Sequence, residues 1–335
     1  MNPLWVILLC TSILYAYWYD ATFWLLYAIV LVGYTVFYLA TKEHNSSRKA
    51  IMISTWDGKS PHTVVSVIAL FVSVEASDPT SWIIEELNVT KALQHIALLN
   101  AEHPDVKVEL HHVVGHGIAH GLHAIRRDVG RFVFGFFKHS PRIGSTFEVE
   151  SDGVKRSITL WDAHKLSLVE FTKQYEQAIR DLKSTPDMNM HYASVLPTFL
   201  LQPFLLITSY ITTNIGLPIN YLCLAASPLG HFYVQDVGQY GMQQGYMPLT
   251  GHLRVMGVAC TGKVRKVPVV VGDEIVVQDM MNSTQTGDHR FGDASIWLPM
   301  KKAYQGYVED PAGWDPASVK ANVHWTEKEA AAARK

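Results

Sequence analysis

Apolar positions along the chain change their spacing several times. Ser81–Thr90 (SWIIEELNVT) predicts a strand, and Lys91–Glu102 carries Leu93, Ile96, Ala97 and Leu99 at helical spacing until Pro104 ends the run. Leu110–Arg127 predicts a second helix and Arg131–Lys138 a strand. Ser145–Val149 and the stretch through Leu160 predict a hairpin turning at Ser151, Asp152 and Gly153. Leu166–Leu182 predicts a charged amphipathic helix. Phe232–Val237, Leu253–Cys260, Val267–Val271 and Glu274–Gln278 predict strands, the last two joined at Gly272-Asp273. Interleaved helices with hairpin-linked late strands predict an α/β mixed sheet with packed helices, rather than a doubly wound fold.

Two stretches depart from this pattern. Residues 4–40 carry one formal charge, Asp20, in an otherwise apolar and aromatic run. As one helix it would be about 55 Å long, against a hydrocarbon core of about 30 Å. The run therefore predicts a transmembrane helical hairpin over residues 1–41, split near Tyr17, Trp18, Tyr19 and Asp20. The first cations after it, Lys42, Arg48 and Lys49, place the following domain on the cytoplasmic or mitochondrial matrix side. Residues 192–229 form a second uncharged region, interrupted by Pro197, Pro203, Gly216, Pro218 and Pro228. It reads as a buried helix pair in the core or as a broken helix lying in or re-entering the membrane interface. Val64–Val74 is too short to span and reads as a packed element or an interfacial helix.

Composition agrees with a membrane-associated chain. Charged residues are 17% and apolar residues 48% of the 335, and 28 Lys plus Arg against 30 Asp plus Glu exclude a nucleic-acid binder working through a basic surface. Cys10, Cys223 and Cys260 are isolated, without the spacing of a thiolate zinc site or a disulfide framework. The order is a hairpin at 1–41, a linker and domain start at 42–80, a domain at 81–318 with an apolar insert at 186–229, and a charged tail at 319–335.

The stretch HHVVGHGIAHGLH holds a histidine series. On a helix, His112, His116, His120 and His123 step by four, four and three, bringing imidazoles to one face within reach of a metal. No Glu follows as in HExxH, the next acid is Asp128, and glycines weaken the helix. The competing reading places these rings on a half-exposed face or at an interface, and no metal is expected.

Near the C-terminus, Val270-Val271-Gly272-Asp273-Glu274-Ile275-Val276-Val277 is followed by Met280-Met281-Asn282 and Asp288-His289-Arg290-Phe291-Gly292-Asp293-Ala294. This order resembles the end of the catalytic domain of the acyltransferase components of 2-oxo acid dehydrogenase complexes, which share their fold with chloramphenicol acetyltransferase. Gly230-His231-Phe232-Tyr233-Val234-Gln235-Asp236-Val237-Gly238 resembles a further strand of that family. Trp161–Glu170 (WDAHKLSLVE) is similar to its D-A-x-x-L-S-L-x-E segment, and Arg48-Lys49-Ala50-Ile51 to its opening helix. The resemblance covers about residues 48–316, the catalytic core without a lipoyl or subunit-binding domain.

The resemblance implies acyl transfer with coenzyme A as substrate. It makes His289 the general base, Asp293 a structural aspartate and Arg48 the partner of Asp293. At the position of the family's oxyanion-stabilising serine stands Gln235, and Ala294 replaces a family glycine. Family trimers place the active site between subunits, so a homotrimer or a subunit of a larger membrane complex is expected, with membrane lipid as a neighbour. Two functions follow: a membrane-anchored acyltransferase, or a catalytically silent structural or assembly subunit of a membrane complex that keeps the fold.

Overall fold

A computed structural model of the chain describes residues 32–33, 80–133, 136–151, 154–184, 197–222, 224–250, 253–292 and 294–317. The expected hairpin at 1–41, the stretch Val64–Val74 and the charged tail lie outside the described residues, apart from positions 32 and 33. Among the described residues no helix is long and apolar enough to cross a membrane.

The frame is a seven-stranded mixed sheet. Its strands are β1 (Thr80–Asn88), β4 (Gly144–Ser151), β5 (Val154–Trp161), β6 (Phe232–Asp236), β7 (Gly257–Thr261), β8 (Arg265–Val271) and β9 (Glu274–Asp288). They run in the order β1-β9-β7-β6-β4-β5, and β8 pairs with β9. β6 is parallel to both neighbours, β4 and β7, and the remaining pairs are antiparallel. The expected mixed sheet with packed helices is therefore present.

Four helices cover one face: α1 (Thr90–Glu102), α2 (Leu110–Ala124), α3 (Leu168–Ser184) and α5 (Ala294–Glu309). Side chains alternate across each strand. Phe147, Val149, Phe232, Val234, Ala259 and Met281 join the helices in the main core. Tyr233, Val258 and Cys260 point the other way, against Leu229, Met247, Leu249 and Leu253. Helix starts are set locally: Asn88 Oδ1 accepts from Thr90 N at 3.1 Å, and Ser167 with Glu170 forms a reciprocal cap on α3.

The glycines of α2 do more than weaken it. A Cβ on Gly117 would stand 2.8 Å from Val308 Cγ2, and one on Gly121 3.0 Å from Met300. Bare backbone at these positions, four apart on one face, lets α5 approach closely. Helix α5, which carries Pro299 inside it, has no counterpart among the elements expected from the sequence.

Three strand boundaries also differ from expectation. Arg131–Lys138 is not one strand but two, β2 (Gly130–Val133) and β3 (Phe136–His139), paired antiparallel; the continuous apolar run FVFGFF hides the reversal. β7 begins at Gly257 because Arg254 adopts a left-handed backbone, φ 56°. β9 runs on to Asp288, since its polar second half is buried between β1 and β7. There Ser283 Oγ lies 2.9 Å from Tyr304 Oη, and Gln285 Nε2 donates to Glu85 Oε2 at 3.3 Å.

The described part of the uncharged insert is not a buried helix pair. Its described part holds α4 (Thr198–Ser209), about 18 Å long, which continues into a wider turn over Tyr210–Ile215. Leu200, Leu206, Ile207 and Leu217 are exposed, and Tyr221 is 94% exposed. Thr212 and Thr213 are buried, and Asn214 Nδ2 donates to Phe132 O at 2.6 Å, fastening the segment to β2.

Candidate active site

The tight turn after β9 presents His289 partly exposed, between β9 and the start of α5. Its neighbours hold the turn rigid. Asp288 is 2% exposed, and both its oxygens accept from the Arg290 guanidinium, with a shortest contact of 2.6 Å. Trp297 Nε1 donates to Gly292 O at 3.0 Å, and the Phe291 ring packs 4.7 Å from that of Phe132. Burial opposes the charge of Arg290, but the hydrogen bonds and charge of Asp288 outweigh it and raise the guanidinium above its ordinary value. Asp293 and Arg48 lie outside the described residues, so no contact is assigned to them.

Two further arginines occupy this end of the sheet. Arg131 is buried and donates to the carbonyls of Leu229 and Gly230, each at 2.7 Å, and to that of Arg254; burial pushes it down to about 9. Arg254 donates to Leu206 O at 3.2 Å and lies 5.2 Å above the Tyr210 ring. Burial lowers it, and the charge of Arg290 lowers it further, so these two guanidiniums share one electrostatic neighbourhood.

Gln235 is at the other end. It lies on β6, on the face away from the helices. Its Nε2 donates to Glu148 Oε1 at 3.0 Å, and Cys260 Sγ stands 3.9 Å from its Oε1. Glu148 is itself shared: Lys155 Nζ approaches Oε1 at 2.8 Å and Tyr233 Oη donates to Oε2 at 3.3 Å. The register aligns Gln235 with Cys260 and Cys260 with Thr284. His289 follows Thr284 by five positions along β9, about 17 Å on. One chain therefore does not bring Gln235 and His289 together.

Glu148 and Arg254 escaped the sequence reading. Alternation in TFEVE marks Glu148 as facing opposite to Phe147 and Val149, and that was the available signal. Arg254 belongs to irregular chain and had none.

The histidine face of α2 is packed at its start and opens toward its end: His112 and His116 are buried, His120 is half-buried and His123 is exposed, as a half-exposed face would be. His112 is buried and its Nδ1 accepts from Glu109 N at 3.0 Å. His116 donates from Nε2 to Ala163 O at 3.1 Å and accepts at Nδ1 from Tyr307 Oη at 2.6 Å. The His120 ring lies 4.7 Å from that of Tyr307, and His123 stacks on His164 at 4.3 Å. Burial lowers His112 to about 3, His116 to about 4 and His120 to about 3, so the rings are neutral. Among the described residues no group of three or more His, Cys, Asp or Glu side chains converges on a metal position.

Comparisons with known proteins agree with this topology. The sequence model of the family described as 2-oxoacid dehydrogenases acyltransferase (catalytic domain) matches residues 228–314, which span β6 to the end of α5. A probable dihydrolipoamide acetyltransferase from Listeria monocytogenes 4b F2365 superposes with a TM-score of 0.53 at 14% identity, covering 78% of this chain and 99% of that one. The cubic core of the pyruvate dehydrogenase multienzyme complex gives 0.53 at 12% identity over 76% and 91% of the two chains. The dihydrolipoamide acetyltransferase of Azotobacter vinelandii gives 0.52 at 13% over the same shares. No curated protein sequence matches the chain. At these identities the likeness establishes the fold, that of dihydrolipoamide acetyltransferase catalytic cores.

Proposed function

We propose that this chain is a coenzyme A-dependent acyltransferase with His289 as its general base. The match of residues 228–314 to the acyltransferase catalytic domain carries the reading, because it includes His289 in the braced turn after β9. On this reading the His289 imidazole takes the proton of the acceptor's thiol, hydroxyl or amine as the acceptor adds to the thioester carbonyl. The C–S bond then breaks and the coenzyme A thiolate leaves with that proton. Arg254 and Arg290, at the same end, suit the phosphates of the donor. Asp293 and Arg48 brace the turn.

The separation of Gln235 from His289 supports a site completed between two copies, with Gln235 of one facing His289 of the next in a homotrimer or a larger membrane complex. The β8–β9 arm offers apolar surface for such assembly, since Val270, Val271, Ile275 and Val277 are all exposed. Residues 1–41 anchor the chain in a bilayer, with lipid against the exposed side chains of 197–222 and the domain on the cytoplasmic or matrix side.

A second reading, a silent assembly subunit, is favoured by one observation: the Gln235 amide already donates to Glu148 and is not free for an oxyanion. The test is thiol release from acetyl-coenzyme A by the detergent-purified full chain, with dihydrolipoamide as first acceptor, alongside coenzyme A calorimetry. Turnover that vanishes in His289→Ala supports the enzyme. Absence of both binding and turnover in a folded oligomer supports the assembly subunit.

A further inference from the structure

On the helix-covered side of the sheet, a cleft of about 290 Å³ opens between the first turn of α2 and the carboxyl ends of β6 and β7. This is at the low end of ligand-pocket sizes, suited to a small molecule. Val114 and Met281, both buried, supply its apolar lining, and Glu109, His111 and Asp236 its polar groups; Lys263, also lining it, is exposed.

The polar groups are fixed in a particular arrangement. Glu109 caps α2 by accepting from the His112 backbone, pairs with Lys107, and sets its Oε2 3.4 Å from His111 Nδ1. A carboxylate at Nδ1 holds the imidazole proton there and leaves a lone pair on Nε2. Burial lowers His111, against the opposing pull of Glu109 and Asp236, so the ring stays a neutral acceptor. His111 and Asp236 line the same cleft.

Asp236 is held through hydrogen bonds. Its Oδ1 accepts from Gly238 N at 2.8 Å and lies 3.5 Å from Thr261 Oγ1. Glu148, Asp162, Asp279 and Asp288 each face a lysine or arginine, but among the described residues no lysine or arginine pairs with Asp236. A partly buried carboxylate of this kind gains from a cationic partner.

We propose that this cleft binds a small organic ammonium compound, its N–H groups donating to Asp236 and to His111 Nε2 and its alkyl body lying on Val114 and Met281. The proposal goes beyond acyl transfer and does not depend on it, since Gln235 points to the opposite face of the sheet. The test is calorimetric titration of the detergent-purified full chain with n-butylammonium, and separately with n-butyrate. Expected is saturable binding of butylammonium and none of butyrate, weakened at least tenfold in Asp236→Asn, which keeps an oxygen to cap Gly238. His111→Phe, which retains the ring contacts with His112 and Tyr175, is expected to weaken it as well and serves as the comparison if Asp236→Asn does not fold. Undetectable butylammonium binding by the folded chain, equal binding of butyrate, or binding unchanged in the folded variants would overturn the proposal.

Discussion

Gln235 Nε2 donates to Glu148 Oε1 at 3.0 Å, on the sheet face that carries none of the four core helices. The longer side chain reaches across from β6 to β4, where a serine hydroxyl at the same position would stop short. Gln235→Ser is expected to release Glu148 to Lys155 and leave a short donor on β6. If an oxyanion forms there, acetyl-coenzyme A turnover rises by about tenfold or more, the low side of what one such donor contributes. Steady-state kinetics of the two proteins measures it, and no rise would place the oxyanion elsewhere.

His289 and Gln235 belong to opposite ends of one sheet, so a site that uses both draws on two copies. Mixing inactive His289→Ala with inactive Gln235→Trp chains, after dissociation and reassembly, is expected to restore part of the activity. A site within one chain would show no recovery at any ratio.

Asp288 is nearly inaccessible and depends on Arg290. Arg290→Ala leaves its charge buried without a cation and is expected to cost about 3–5 kcal/mol of stability. Urea denaturation of the two proteins measures it. Arg290→Lys, lacking the planar fork, is expected to recover only part of the loss.

A Cβ on Gly115 would stand 2.3 Å from Phe147 Cε1, in the core between α2 and β4. Gly115→Ala is expected to destabilise the fold by about 1–3 kcal/mol even though alanine is the better helix former. A gain in melting temperature would show that the Phe147 ring yields freely.

His112, His116 and His120 are held at about 3 to 4 in the folded chain, below the ordinary 6.5. The folded state then binds fewer protons than the unfolded one. Stability from their burial is complete above about pH 6.5 and falls as the pH drops toward about 4, by roughly 1.4 kcal/mol per pH unit for each ring. Melting temperature followed from pH 7.5 to 4.5 is expected to decline steadily. His120→Gln, at the least buried of the three positions, is expected to make that decline shallower.

Much of the architecture is written in local pattern. β1, α1, α2, the β4–β5 hairpin, α3 and the Gly272-Asp273 turn follow from spacing and punctuation, because each buries one face and stops at a proline, a glycine or a polar turn. The turn holding His289 was likewise found by its own residues, Asp288 to Asp293. What residues alone could not decide depends on partners far away in sequence. The polar half of β9 is strand because β1 and β7 satisfy both its edges. α5 carries Pro299 and packs closely on the bare backbone of Gly117 and Gly121. Imidazoles spaced like metal ligands instead take neighbours of other kinds, His116 between Ala163, Phe171 and Tyr307, His120 against Tyr307 and His123 on His164. The distance between Gln235 and His289 is a property of strand register. Local sequence carries backbone preference and the sidedness of each element, whereas burial, counter-charge and separation are pairwise quantities fixed only when the elements meet.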